Sequence, residues 1–219
     1  HKQPAAFIKG YYRTRELFGA AMYAGAINGK TSIAFRGRTF GLLGADKRPI
    51  LHGKHPSALA DKKETQCNAF SASALGKLET RMQNFKGDAD NILDVAPTTI
   101  LIPNDADAKE AVFAAIGADK DPATSSNAFN YQFGRWNVRC WTYLNQYLVR
   151  GSTFPWVLLD EAYNQEYGGA AWFDRVELEI RSEIADNDAN RWKGYARFGA
   201  GFNDWRFIAA GGIDGADAL

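Results

Sequence analysis

Two alternating segments near the C-terminus constrain this chain more than any other feature. From Arg175 to Ile184, Val176, Leu178, Ile180 and Ile184 fall on one side and Glu177, Glu179, Arg181 and Glu183 on the other. A period of two with one dry and one charged side marks a half-buried strand. Asp186-Asn187-Asp188 follows, a run whose short side chains bond their own backbone in turns. Alternation resumes from Arg191 to Phe198, with Trp192, Gly194, Ala196 and Phe198 opposite Arg191, Lys193, Tyr195 and Arg197. The spacing predicts a long antiparallel hairpin on whose apolar face the rest of the chain packs.

The remaining segments read as α+β. Tyr11 to Ala26 has helical character, with Asn28-Gly29 as its stop. Thr31 to Phe40 alternates as a strand that Gly37 interrupts. Residues 41 to 66 carry many glycines, prolines and charges and are the least core-like stretch, so a long loop with work outside its own domain is expected. Ser71 or Ser73 caps a helix running to about Lys86, with Leu75, Leu78, Met82 and Phe85 on one face. Pro97 to Pro103 reads as a short buried strand, and Asn104 as the cap of a helix through Ala115 that stops at Gly117. After a polar loop at Lys120 to Asn127, the aromatic-rich stretch Phe129 to Val149 reads as two strands turning near Gly134-Arg135 or Asn145-Gln146. Pro155 to Asp160 is a further strand.

A chain of 219 residues suits one domain or two small ones. It holds no run of about eighteen apolar residues, so no membrane-spanning helix is expected. His1 is not a start methionine, and an N-terminal piece is expected to precede it. Cys67 and Cys140 are expected to be free thiols. The net charge of +1 conceals a gradient: residues 1 to 70 hold twelve Lys/Arg against four Asp/Glu, and residues 160 to 219 hold six against twelve. A basic head and an acidic tail favour ordered association of identical copies, or face each other within one monomer. Nucleic-acid binding through the basic segment is a third reading, but aromatics do not interleave with its lysines as a stacking platform requires.

Chemistry is sparse. His52, His55 and Cys67 have donor types that suit zinc, but they stand in a glycine- and lysine-rich loop without a Cys-x-x-Cys pair. Glu177 and Glu179 share a strand face, where regular spacing with Arg181 suits a solvated or interface surface better than acid/base work. Trp136, Trp141 and Tyr143 would form a sugar platform if exposed, and core if buried. Asp204, between Asn203 and Trp205, reads as a structural hydrogen-bond acceptor. No phosphate-cradling glycine loop or nucleophile elbow is present, and neither a cofactor nor an enzymatic activity is expected.

Several strings occur in an order that resembles the C-terminal part of tailed-bacteriophage major capsid proteins: Pro155-Trp156-Val157-Leu158-Leu159-Asp160, Trp172-Phe173-Asp174-Arg175, Arg181-Ser182-Glu183, Trp192-Lys193-Gly194 and Gly201-Phe202-Asn203-Asp204-Trp205-Arg206. Pro49-Ile50-Leu51-His52, His55-Pro56-Ser57 and Thr65-Gln66-Cys67-Asn68 are similar to the extended-loop region of Mu-like phage and prophage head subunits. The resemblance implies the Hong Kong phage capsid fold, an α+β architecture with a spine helix, a long hairpin, an extended loop and an axial domain. It implies an N-terminal arm at 1–28, an extended loop at 29–68, a peripheral domain at 69–99 and 166–219, and an axial domain at 100–165. The implied role is a major capsid protein of the virion, assembled in the bacterial host cytoplasm into pentamers and hexamers of an icosahedral shell around double-stranded DNA. Partners would be further copies, non-specifically contacted DNA, and scaffold, portal or decoration proteins, without a membrane. Basic loop residues Arg36, Arg38, Lys47, Arg48 and Lys54 would meet Glu177, Glu179 and Glu183 on a neighbour. In some relatives a loop lysine forms an isopeptide bond, for which Lys47 or Lys54 would be the residue here. An encapsulin-like nanocompartment shell shares the fold and is the main alternative; an aromatic-rich binding module or small metalloenzyme is a second.

Overall fold

A computed structural model describes residues 3–51, 55, 65, 67–120, 129–149, 151–184 and 190–214. The expected turn at Asp186 to Asp188, the Lys120 to Asn127 loop beyond its first residue, His52 and Lys54 lie outside these residues.

The chain opens with α1 (Gln3–Ile27), eight residues earlier than the sequence suggests. Pro4 falls in the first turn, where a missing N–H removes no helical bond. The end is as expected. Gly29 takes φ +68°, Lys30 N–H donates to Gly25 O and Gly29 N–H to Ala26 O, a pair of bonds that closes the last turn through a left-handed residue. The C-terminal half of α1 is buried on every side: Phe18, Ala20, Ala21, Met22, Ala24, Ala26 and Ile27 are all core. Small residues permit that. A Cβ on Gly25 would lie 2.6 Å from both Ile33 and Leu42 side chains.

Residues 31 to 41 form a hairpin, β1 (Ser32–Phe35) and β2 (Arg38–Gly41), where one interrupted strand was expected. The reason is Arg36-Gly37, with φ of +48° and +77°: two consecutive left-handed residues make a tight turn whose twist matches the strands. The following segment is better anchored than its composition suggests. Leu42, Ile50 and Leu51 are fully buried.

Ser71, rather than Ser73, caps α2 (Ala72–Gln83), accepting from Ala74 N–H at 3.1 Å. Leu75, Leu78, Met82 and Phe85 face the core as the spacing predicts. The buried strand β3 (Thr99–Pro103) precedes α3 (Ala106–Ile116), whose cap is Asp105 and not Asn104. Asn104 is held instead by Asn145, whose side chain brackets its backbone N–H and carbonyl.

The aromatic stretch contains one strand, β4 (Asn137–Trp141), followed by a short 3-10 helix at Thr142–Gln146. Before β4 the alternation is inverted. Phe129, Tyr131 and Phe133 are exposed, while Asn130 and Gln132 point inward. Asn130 Nδ2 donates to Ala115 O and Ala118 O at the end of α3, and Gln132 Nε2 donates to the buried Glu79 carboxylate of α2 at 3.1 Å. These polar links hold the segment in a turn, which propensity alone could not indicate. Trp136, Trp141 and Tyr143 pack against the core.

β5 (Trp156–Leu159), α4 (Glu161–Tyr167), the long pair β6 (Ala170–Ile184) and β7 (Asn190–Phe202), and β8 (Ile208–Gly211) complete the fold. β4, β3, β5 and β8 form one sheet in that order, parallel only between β3 and β4. That sheet therefore draws strands from both divisions expected at 100–165 and 166–219. β6 and β7 form a separate two-stranded ribbon, roughly 50 Å long at about 3.3 Å per residue. Two irregularities place one extra β6 residue each, between Asp174 and Val176 and between Val176 and Glu179, turning Val176 opposite Arg197 and then restoring the phase.

Phe18, nearly inaccessible, joins these parts. Its ring lies 5.2 Å from Phe35, 4.7 Å from Phe40, 5.8 Å from Trp172 and 5.9 Å from Phe198, so α1, the small hairpin and the long ribbon share one aromatic contact. Phe18→Ala is expected to cost about 3–5 kcal/mol in chemical denaturation. A loss under about 1 kcal/mol would show that this junction does not hold the fold.

Candidate assembly surfaces

The base of the long ribbon is clamped to α1. Arg15 donates two bonds to the Asp174 carboxylate, at 2.7 and 2.9 Å, and its guanidinium lies 4.7 Å from the Trp172 ring centre. Trp172 stacks on Phe198 across the strands at 5.2 Å. Fork-to-fork geometry suits a guanidinium and a carboxylate, and the ring face adds a cation–π contact. The Arg15 hydrogen bond holds the Asp174 carboxyl below the usual carboxylate range.

The string Gly201 to Arg206 is a structural knot. Asn203 O accepts from Ala45 N–H, and Asn203 Nδ2 donates to Gly168 O at 3.2 Å. Asp204 accepts from the Tyr163 hydroxyl and from Arg206, as the expected structural acceptor. Arg206 also reaches Asp88 at 2.6 Å and the Lys86 carbonyl. Trp205 is buried between Phe85 and His55, the latter stacked on it at 4.3 Å. His55 Nδ1 meets Asp46 at 2.5 Å. That histidine is thus engaged structurally, and among the described residues no group of three or more His, Cys, Asp and Glu is placed to hold a metal ion. Cys67 is half-buried and Cys140 exposed, both as thiols.

The charged residues expected at a subunit contact occupy three places. Arg36 and Arg38 stand exposed at the β1–β2 turn, with Arg36 donating to the Thr14 hydroxyl at 3.1 Å. Lys47 and Arg48 are exposed on a separate turn closed by Gly44. Glu177, Glu179 and Glu183 lie along β6, where Glu179 accepts from Arg181 at 2.9 Å and Glu183 from Lys193 at 2.6 Å. Arg191 is 3.6 Å from Glu183 as well, and the Lys193 contact pulls the Glu183 carboxyl below its ordinary range. Among the described residues no ion pair joins a loop cation to a β6 glutamate within one chain. The Arg15–Asp174 clamp escaped the sequence reading, although Asp174 sat inside one of its quoted strings.

A family model described as phage capsid protein matches residues 3–211, which is almost the whole chain. The chain belongs to the phage capsid protein family. No curated protein matches it. The match to this capsid protein spans α1, both hairpins and the four-stranded sheet. As a capsid component it is a structural part of the virion. No helix among the described residues is long and apolar enough to cross a membrane.

Two outcomes follow for the knot. Arg206→Ala leaves Asp204 without its cation and is expected to destabilise the capsid protein by about 2–3 kcal/mol in urea; a change within about 0.5 kcal/mol would contradict the assignment. Burial pushes the His55 imidazolium below the ordinary histidine value although Asp46 pulls the other way. An unfolded histidine takes its proton at about pH 6.5 and the folded one only at lower pH, so stability falls as pH drops below that value. Melting curves between neutral pH and pH 5 are expected to show a shallower decline for His55→Gln than for the parent. Equal slopes would remove His55 as the cause.

Proposed function

We propose that this chain is a major capsid subunit whose copies form pentamers and hexamers and close an icosahedral shell around double-stranded DNA. The observation that carries the reading is the family match over residues 3–211. It is supported by the long β6–β7 ribbon, whose outer edges pair with no other strand among the described residues, an arrangement that suits contact with neighbours. The reading takes the Hong Kong phage fold as the architecture, with Mu-like head subunits as its nearest kind, and residues 29–68 as an arm toward the adjacent subunit.

In that arrangement the loop cations Arg36, Arg38, Lys47, Arg48 and Lys54 approach Glu177, Glu179 and Glu183 of the next copy and compete with Arg181, Lys193 and Arg191 for them. Exposed pairs of this kind set register and encounter rate more than affinity. Assembly needs no turnover: identical subunits bury complementary surfaces under closed symmetry.

Light scattering of the purified protein, with negative-stain microscopy of the heavy fraction, is expected to give closed shells or capsomers. A persistent 24.2 kDa monomer at high concentration would contradict the proposal. Arg36→Glu with Arg38→Glu should impair shell formation while leaving the melting temperature unchanged, and normal particles would remove the charge pairing.

A further inference from the structure

The β6–β7 ribbon consists of two regular ladders with a break between them. Ala170 to Asp174 pair with Phe198 to Phe202, and Glu179 to Ile184 pair with Asn190 to Tyr195, each without interruption. Between them the β6 residues Arg175 to Leu178 stand opposite only Ala196 and Arg197 of β7. A bulge disrupts ladder hydrogen bonds and bends the strand that carries it. Two in succession leave a stretch whose pairing does not fix the angle between the ladders on either side.

The two ladders are held differently. The inner one is built into the body: Phe202 is buried, Trp172, Phe198 and Ala200 pack against the core, and Arg15 closes the end of the ladder on Asp174, directly before the first bulge. The outer ladder has no buried residue, and Glu179 and Glu183 take their cations from within the ribbon. α1 reaches it at Gly194, where the Phe7 ring fills the space that a Cβ would need, so only glycine admits the contact. Phe7 precedes Arg15 on α1 by about 12 Å of helix. One helix thus grips the ribbon on both sides of the double bulge, by an ion pair and an aromatic cluster on the inner side and by one ring on the outer.

We propose that the ribbon is a jointed arm, whose outer ladder swings on the double bulge and whose angle is held by Phe7 seated at Gly194 as a latch. Release of the latch leaves the pairing within the outer ladder intact and removes its tie to α1, so the arm moves as a unit. A partly exposed phenylalanine on a glycine is worth about tenfold in the ratio of latched to free arms. That is enough to favour one angle and little enough for a contact made elsewhere to override it. The joint belongs to the single subunit and operates whatever the chain assembles into.

Pairs of spin labels read the joint. With the free thiols Cys67 and Cys140 replaced by serine, labels on Asp107→Cys of α3 and Ser182→Cys report the outer ladder, and labels on Asp107→Cys and Phe173→Cys report the inner one. Distances are measured on the purified chain below any concentration at which light scattering detects association. Both pairs are expected to give one narrow distance with the latch intact. Phe7→Ala and Gly194→Ala break the latch from opposite sides, and each should raise the population at other Ser182 distances about tenfold, with the Phe173 distance and the circular dichroism spectrum unchanged. Alanine suits a strand better than glycine, so an arm loosened by Gly194→Ala does not reflect a weakened ladder. A Ser182 distance unmoved by both variants, or already as broad with the latch intact, would overturn the latch. Broadening of both pairs together would place the pivot at α1 and overturn the joint at the bulges.

Discussion

Everything in this subunit depends on the close packing around the C-terminal half of α1. A helix buried on all sides has no room for ordinary side chains where two elements meet it. Gly25 lets Ile33 and Leu42 approach, and the alanines at 20, 21, 24 and 26 keep the remaining distances short. Phe18 is the large exception, and it fills the space among Phe35, Phe40, Trp172 and Phe198. One helix thereby positions two hairpins that are far apart in sequence. Van der Waals contact of this density is felt at the level of a single methylene.

Polar locks then fix orientation where apolar packing is indifferent to it. Arg15 on Asp174 sets the angle at which the ribbon leaves α1, and Arg206 with Asp204 and Asp88 ties the chain after β7 to the end of α2. Glu79, buried and bonded to Gln132 and Arg135, fastens the aromatic segment to the same helix. Groups of this sort are costly to bury without partners, so each network specifies a single arrangement. In the outer ribbon the pairs run between its own strands, Glu183 with Lys193 and Arg191.

Much of this was legible beforehand. The period-two pattern at 175–198 gave the ribbon, the 3.6-residue pattern at Leu75, Leu78, Met82 and Phe85 gave α2, and the apolar run before Pro103 gave β3, because burial on one face leaves a mark on the sequence. What escaped depended on partners distant in the chain. Asn130 and Gln132 face inward for the sake of Ala115, Ala118 and Glu79, which inverts the reading that aromatic residues fill cores. Arg36 turns the β1–β2 hairpin from a left-handed conformation uncommon outside glycine. The apolar side of the ribbon was foreseen as a face on which the chain packs, and α1 lies on it, with Phe18 against Trp172 and Phe198 and Phe7 over Gly194.

An electron cryo-microscopy reconstruction of assembled particles tests the account most directly. The account predicts a closed shell in which Arg36 and Arg38 of one subunit approach Glu177, Glu179 and Glu183 on the β6–β7 ribbon of a neighbour. Particles in which the ribbon stands clear of every neighbouring subunit would contradict it.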